Sequence, residues 1–198
     1  MDEVNTMPCR AKGLVRVQDG TRIAYERYGE GPPVILVSGT PGTAGVERAL
    51  AGLLARRFSV VAYDRRAAAD SVEREIADLA ALVNAVGGAS GVAAVHGTAS
   101  GGALALAAAA AGVPVGPVSV YEPTCGAEQA DGLGRVHARV LVVDGGASPA
   151  RTRRAARTIA AAVPRGRHRT LTGQTHEVAP HVLAPVLADF YGEDPAGE

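Results

Sequence analysis

The sequence predicts an α/β protein in which helices cover both faces of a mostly parallel β-sheet. Leu14–Val17 and Arg22–Arg27 alternate apolar and polar residues around Asp19-Gly20, which is typical of a β-hairpin. The continuous apolar run Val34–Val37 is typical of a strand buried on both faces. Strand-like and helix-like segments then alternate to the end of the chain, and this order favours parallel strands joined by helices.

Apolar spacing and the residues that begin or end helices assign the other elements. Further strands are predicted at Phe58–Ala62, Val92–Val95, Val118–Tyr121, Val140–Val143 and Arg169–Leu171. Helices are predicted at Val46–Arg56, from a cap at Asp70 or Ser71 to Gly87-Gly88, at Ala103–Ala111, at Arg151–Val163 before Pro164, and at Val182–Phe190.

Composition limits the classes of protein to consider. With 198 residues, 47% of them hydrophobic, the chain is expected to form a single domain at 1–198, with residues 1–11 and 192–198 flexible. Zero net charge gives no indication of a nucleic-acid or membrane partner. The N-terminal sequence Met1-Asp2-Glu3 is acidic and does not lead into the apolar region of a signal peptide. Cys9 and Cys125 lack metal-ligand spacing. We therefore expect a cytoplasmic protein with reduced thiols that uses no metal or cofactor.

Residues 95–102 read Val-His-Gly-Thr-Ala-Ser-Gly-Gly, between a predicted strand and a helix of small residues. Glycines two positions either side of a residue allow a strand to turn sharply into a closely packed helix. Gly97 and Gly101 therefore place Ala99 at the tip of the turn. Centring the motif on Ser100 would put the branched Thr98 where a glycine is needed. We interpret Ser100 as a helix-start residue whose backbone N–H faces the site, and its use as a nucleophile is the alternative.

Six motifs in this order resemble the α/β-hydrolase superfamily, in particular a small group common in actinobacteria. They are DGTRIAY at 19–25, VILVSGT at 34–40, YDRR at 63–66, the turn at 97–101, VYEP at 120–123 and GQTH at 173–176. The resemblance covers nearly the whole chain and implies the α/β-hydrolase fold. In that family the turn carries a nucleophilic serine, so the resemblance implies a hydrolase-type site with Ala99 at the nucleophile position.

The sequence departs from the family pattern at four places. Ala99 replaces the nucleophile, and Ser38 stands where the family usually has histidine. Residues 67–69 are alanines where a glycine-rich loop is usual, and residues 122–138 are too few for the customary helical cap. Because a lid closes a site against water, its absence predicts an open groove suited to a bulky substrate, or to one delivered by a partner.

The resemblance also implies the roles of particular residues. His176 stands at the position of the catalytic histidine, the alternative being a histidine of a surface loop. Glu122 is the preferred acidic partner, as in relatives that carry their acid after this strand, and Asp144 is the reserve, because Ser148 occupies the usual acid position. The implied oxyanion site is formed by Ser38, Gly39 and the backbone N–H groups of Thr40 and Ser100.

Charged residues elsewhere are interpreted as solvated or structural. Arg65 and Arg66 are expected to hold loops beneath the turn. A solvated helix face is expected for Glu73, Arg74, Glu75 and Asp78. A second such face is expected for Arg151, Arg153, Arg154 and Arg157, with docking of an acidic carrier protein as the alternative.

Three functional hypotheses follow. The first is an enzyme without a covalent step, in which His176 drives cyclisation, isomerisation, epimerisation or elimination of a bulky small molecule, free or carrier-bound, such as a natural-product intermediate. The second is an esterase-type or thioesterase-type serine hydrolase whose nucleophile is replaced by Ala99. The third is a small-molecule-binding protein without activity.

Overall fold

Eight strands form one sheet in the computed structural model, which describes residues 11–39, 47–66, 71–125 and 132–193. The strands are β1 (Ala11–Arg16), β2 (Arg22–Tyr28), β3 (Pro33–Val37), β4 (Ser59–Tyr63), β5 (Ala93–Thr98), β6 (Val115–Tyr121), β7 (Val140–Gly145) and β8 (Gly166–Leu171). The helices within these ranges are α1 (Arg48–Leu54), α2 (Val72–Val86), α3 (Ser100–Ala110), α4 (Ala150–Ala162) and α5 (Pro180–Gly192), with short 3-10 turns at Gly88–Ser90 and Leu133–Arg135.

The strand order β1-β2-β4-β3-β5-β6-β7-β8 confirms the predicted fold class. Strand β2 pairs antiparallel with both β1 and β4, and every other pairing in the sheet is parallel. The carboxyl ends of β3 through β8 therefore meet at one edge of the sheet, where ligands of open α/β sheets usually bind.

Helices cover both faces of the sheet. One core cluster packs α2, α3 and α4 against the sheet through residues such as Leu79, Leu104 and Ile159. The opposite cluster packs α1 and α5 through residues such as Leu54 and Leu187. None of these helices, taken over the described ranges, has the length and apolarity that crossing a membrane requires.

Several elements are longer than the apolar pattern predicted. Strand β6 begins at Val115, which pairs with Ala93 before an irregularity in the register. Strand β8 begins at Gly166, because its parallel pairing with β7 includes the polar residues Arg167 and His168. Ala11 already lies in β1 and Gly192 still lies in α5, whereas both were expected in flexible ends. The predicted start of the first helix at Val46 falls outside the described residues.

The prediction that Glu75 and Asp78 are solvated is wrong, because both carboxylates are buried. Arg65 donates to Glu75 through Nε at 3.0 Å and through Nη2 at 2.8 Å. Arg66 donates to the two oxygens of Asp78 at 2.5 and 2.6 Å. Helical periodicity places these carboxylates on α2 but contains no information about the arginines that follow β4 and fold over them.

The side chain of His96 is completely buried in the centre of the sheet. Its Nδ1 lies 2.8 Å from the Ser119 hydroxyl, which in turn lies 2.5 Å from the Tyr191 hydroxyl. Its Nε2 is buried, and no described residue hydrogen-bonds to it. Burial lowers the pKa of His96 from 6.5 to about 4, since the charged imidazolium would lose its hydration.

This burial predicts that acid destabilises the protein through His96. Below pH 6.5 the unfolded chain takes up a proton that the folded protein does not accept until about pH 4. The free energy of unfolding should therefore fall by about 3 kcal/mol between pH 7 and pH 4 from this group alone. Urea unfolding at several pH values should show this loss in the wild type and a flatter dependence in His96→Asn. Parallel curves for the two proteins would contradict the prediction.

Candidate active site

Ala99 forms the tip of a sharp turn between β5 and α3. Its backbone has φ of 49° and ψ of −117°, a conformation that costs free energy for a residue with a Cβ atom. The turn is held because the Ala99 N–H donates to the Tyr121 carbonyl at 3.0 Å, and the Thr124 N–H donates to the Ala99 carbonyl at 3.2 Å. The methyl side chain of Ala99 lies on the wall of a cavity.

Two glycines allow the close packing around this turn. A Cβ atom at Gly97 would overlap the backbone of Gly101, and a Cβ atom at Gly101 would overlap the carbonyl of Val37. Helix α3 therefore begins in direct backbone contact with β3 and β5. This is the physical requirement behind the glycine spacing in the sequence.

The hydroxyl of Ser100 belongs to a partly buried hydrogen-bond network. It donates to the Gly39 carbonyl at 2.7 Å and accepts from Arg65 Nη1 at 3.0 Å. The same Arg65 nitrogen donates to the Ser38 carbonyl at 2.8 Å. The Ser100 hydroxyl proton is thus engaged with the end of β3, which favours a positioning role over a nucleophilic one.

Glu122 lies directly after β6 and is nearly completely buried, with 3% of its surface exposed. Its backbone φ is 44°, so two non-glycine residues at this edge of the sheet, Ala99 and Glu122, have strained backbones. Its Oε1 accepts the backbone N–H of Gly145 at 3.0 Å, and its Oε2 lies 2.9 Å from His176 Nδ1. The carboxylate is therefore fixed by a backbone donor on one side and faces the imidazole on the other.

The loop that carries His176 is tied to the end of the sheet. The Tyr121 hydroxyl donates to the Thr175 carbonyl at 2.5 Å, and the Ala147 N–H donates to the Gln174 carbonyl at 2.9 Å. Gln174 Oε1 also accepts the Ala179 N–H at 2.9 Å, at the start of α5. The His176 side chain remains 60% exposed, so its position is fixed while its ring stays accessible.

A cavity of about 560 Å³ lies at this edge of the sheet, a volume suited to a small-molecule ligand. Its lining residues come from the ends of β3 and β5, from α1, and from the loop and helix that follow β8. They are Ser38, Gly39, Glu47, Leu50, Thr98, Ala99, His176, Glu177, Val178, Pro180 and Leu183. Ala99 and His176, which the sequence analysis singled out separately, therefore share one cavity.

Comparison with known proteins establishes the family. An alpha/beta hydrolase from Sphaerobacter thermophilus DSM 20745 is 32% identical, with a TM-score of 0.81 over 90% of this chain and 100% of that one. The chain belongs to the α/β-hydrolase family. Two further structures share the fold. A serine hydrolase involved in carbazole degradation is 16% identical, with a TM-score of 0.79 over 91% of this chain and 98% of that one. The enol-lactonase from Burkholderia xenovorans LB400 is 16% identical, with a TM-score of 0.76 over 91% of this chain and 100% of that one. No family model and no curated protein matches the sequence.

Asp144, the reserve partner for His176 in this α/β hydrolase, is bonded to a different histidine. Its Oδ2 lies 2.7 Å from His168 Nε2, and the carboxylate is completely buried. Asp144 and His168 lie on the face of the sheet that α4 covers, the same face as Val142. The cavity is lined instead by α1 and α5 from the opposite face, so Asp144 cannot serve His176.

The residues predicted to form an oxyanion site are only partly within the described ranges. Ser38 and Gly39 line the cavity, and Ser100 follows Ala99 directly as the first residue of α3. Thr40, the second predicted backbone donor, lies outside the described residues, as do the alanines at 67–69. No group of three or more metal-ligating side chains occurs in the ranges that the structure describes.

Glu47 is a cavity residue that the sequence analysis missed. It is only 8% exposed, and burial raises the pKa of its carboxyl group above the ordinary 4.5. A signal was present in the sequence: Glu47, Leu50 and Leu54 have the i, i+3, i+7 spacing of one helix face. An acidic residue on an otherwise apolar helix face indicates a buried ionisable group, and buried ionisable groups commonly mark a site.

Proposed function

We propose that this protein is an α/β-hydrolase-family enzyme that moves protons on a carbonyl substrate without a covalent intermediate. The proposal rests on one observation: His176 Nδ1 lies 2.9 Å from the buried Glu122 carboxylate, at a cavity whose nucleophile position is Ala99. The reactions that this arrangement supports are isomerisation, epimerisation, cyclisation and elimination. A bulky small molecule, free or bound to a carrier, is the proposed substrate.

The pairing of His176 with Glu122 supports acid–base chemistry. When Nδ1–H donates to the carboxylate, the unprotonated Nε2 is the nitrogen available to a substrate. The buried carboxylate stabilises the imidazolium that forms when Nε2 accepts a proton. Histidine can then return that proton to a different atom of the substrate.

The start of α3 supplies stabilisation for a developing negative charge. Ser100 is the first residue of this helix, and the first N–H groups of a helix have no acceptor within it. One donor of this kind contributes about 3–4 kcal/mol to an oxyanion in a transition state. Thr40 is the proposed second donor. Both donors are backbone groups, so neither depends on the side chain at position 99.

Exchange of substrate α-protons with solvent tests this function directly. In heavy water, the wild type should catalyse deuterium incorporation next to the carbonyl group for members of a panel of cyclic ketones and thioesters, followed by NMR. His176→Ala should lower the exchange rate by roughly a hundredfold or more, because it removes the base.

Glu122→Gln serves as a second variant, because it keeps the shape of the side chain and removes its charge. It should lower the exchange rate less than His176→Ala does. Exchange by His176→Ala at the wild-type rate would refute the proposal. An inert wild type that nevertheless binds members of the panel would favour the non-catalytic binding protein.

A second candidate is a serine hydrolase in which Ala99 has replaced the nucleophile. The observation that favours it is the strained backbone at Ala99, with φ of 49°. An alanine gains nothing from this conformation, whereas a serine there would present its Oγ to His176.

Replacing Ala99 by serine separates the two candidates. If the site is a hydrolase site lacking one oxygen, Ala99→Ser should react with a fluorophosphonate probe and hydrolyse p-nitrophenyl acetate, while the wild type does neither. The double variant Ala99→Ser with His176→Ala should lose most of that activity, because the serine then has no base. If Ala99→Ser and the wild type are equally unreactive, the hydrolase candidate is excluded.

A further inference from the structure

Glu47 lies at the cavity wall, immediately before α1. Its backbone carbonyl accepts the Ala51 N–H at 2.8 Å, but its side chain forms no capping hydrogen bond with the helix. The carboxyl group therefore does not serve to begin α1. It lines the same cavity as Ala99 and His176, and it comes from a different part of the fold than His176 does.

No described residue neutralises this carboxyl group. Among the described residues, no arginine, lysine or histidine forms an ion pair with it, and burial is what raises its pKa. The adjacent Arg48 lies instead 3.6 Å from Glu26. The other titratable side chains that line the cavity are His176 and the exposed Glu177. Burial without a counterion shifts such a carboxyl group toward its neutral form, in which it can donate a proton.

We propose that Glu47 is the general acid that works opposite His176, and that the substrates are carbonyl compounds bearing an oxygen leaving group at the β-carbon. This inference rests on the proposed function of His176 and adds to it a second proton-transfer group and a substrate class. An imidazole and a buried carboxyl group on one cavity can supply the base and the acid that an elimination requires.

The reaction is balanced without a further reactant. His176 Nε2 removes the proton from the carbon next to the carbonyl, and the electron pair of that C–H bond forms the new carbon–carbon double bond. The bond between the β-carbon and the leaving oxygen breaks, and that oxygen takes the proton of Glu47. The products are an unsaturated carbonyl compound and an alcohol or phenol. Net transfer of one proton from the imidazolium to the Glu47 carboxylate, through solvent, restores the starting state.

A series of β-aryloxy ketones tests this assignment. Their leaving groups run from nitrophenoxide, which departs without help, to methoxyphenoxide, which needs a proton. We expect Glu47→Gln to slow release of methoxyphenol by roughly a hundredfold and to change release of nitrophenol little. Glu73→Gln, which removes a carboxylate from the surface of α2, should match the wild type throughout. A residue with a merely structural role would slow every member of the series equally.

A second measurement follows the protonation of the Glu47 carboxyl group directly. The ¹³C signal of the Glu47 carboxyl, assigned by its loss in Glu47→Gln, should titrate with a midpoint above 4.5. A midpoint at or below 4.5 would overturn the assignment. So would a Glu47→Gln variant that slows all the ketones equally, or one that slows none of them. If instead the wild type releases no phenol and exchanges no α-protons, the proposed function fails and this inference fails with it. A wild type that is active and depends on His176 but not on Glu47 refutes the inference alone.

Discussion

Backbone contact between α3 and strands β3 and β5 is the constraint on which the rest of the site depends. It requires glycine at positions 97 and 101, since a Cβ atom at either would overlap backbone atoms. It also forces Ala99 into the strained tip of the turn. The same contact brings the first turn of α3 to the carboxyl edge of the sheet, where Glu122 and the loop with His176 also lie. A strained residue of this kind persists only where the surrounding structure determines it.

A buried ion pair between Arg65 and Glu75 stabilises the turn at Ala99. Arg65 joins the end of β3, the start of α3 and the Glu75 carboxylate of α2 through one guanidinium group. Breaking such a pair by removing one partner leaves an uncompensated buried charge, which typically costs about 3–5 kcal/mol. The network therefore connects the cavity wall at Ser38 to helix α2, which does not itself line the cavity. Glu122, which follows β6, is also buried, and it shares a strained backbone with Ala99.

Elements with a clear period or a clear turn signal could be predicted from the sequence. The hairpin around Asp19-Gly20, the buried strand Val34–Val37 and helix α2 follow from local patterns. The pairing of His176 with Glu122 was implied by the resemblance to the α/β-hydrolase family. Pairings between distant residues could not be predicted in this way. Asp144 lies within β7 and Glu122 directly follows β6, and the positive φ of Glu122, at 44°, takes its side chain out of the strand alternation that Asp144 keeps. The burial of Glu75, Asp78 and Glu47 likewise depends on which elements pack over them, which local periodicity does not encode.

Whether Glu122 holds His176 with Nε2 free for a substrate can be read from the tautomer of the His176 imidazole. Long-range ¹H–¹⁵N NMR of the imidazole, assigned with His176→Gln, reports which nitrogen carries the proton at a pH where the ring is neutral. We expect the proton to reside on Nδ1, 2.9 Å from the carboxylate, and Glu122→Gln to weaken this preference. A wild-type proton on Nε2 would rule out the proposed base, because the nitrogen facing the substrate could not then accept a proton.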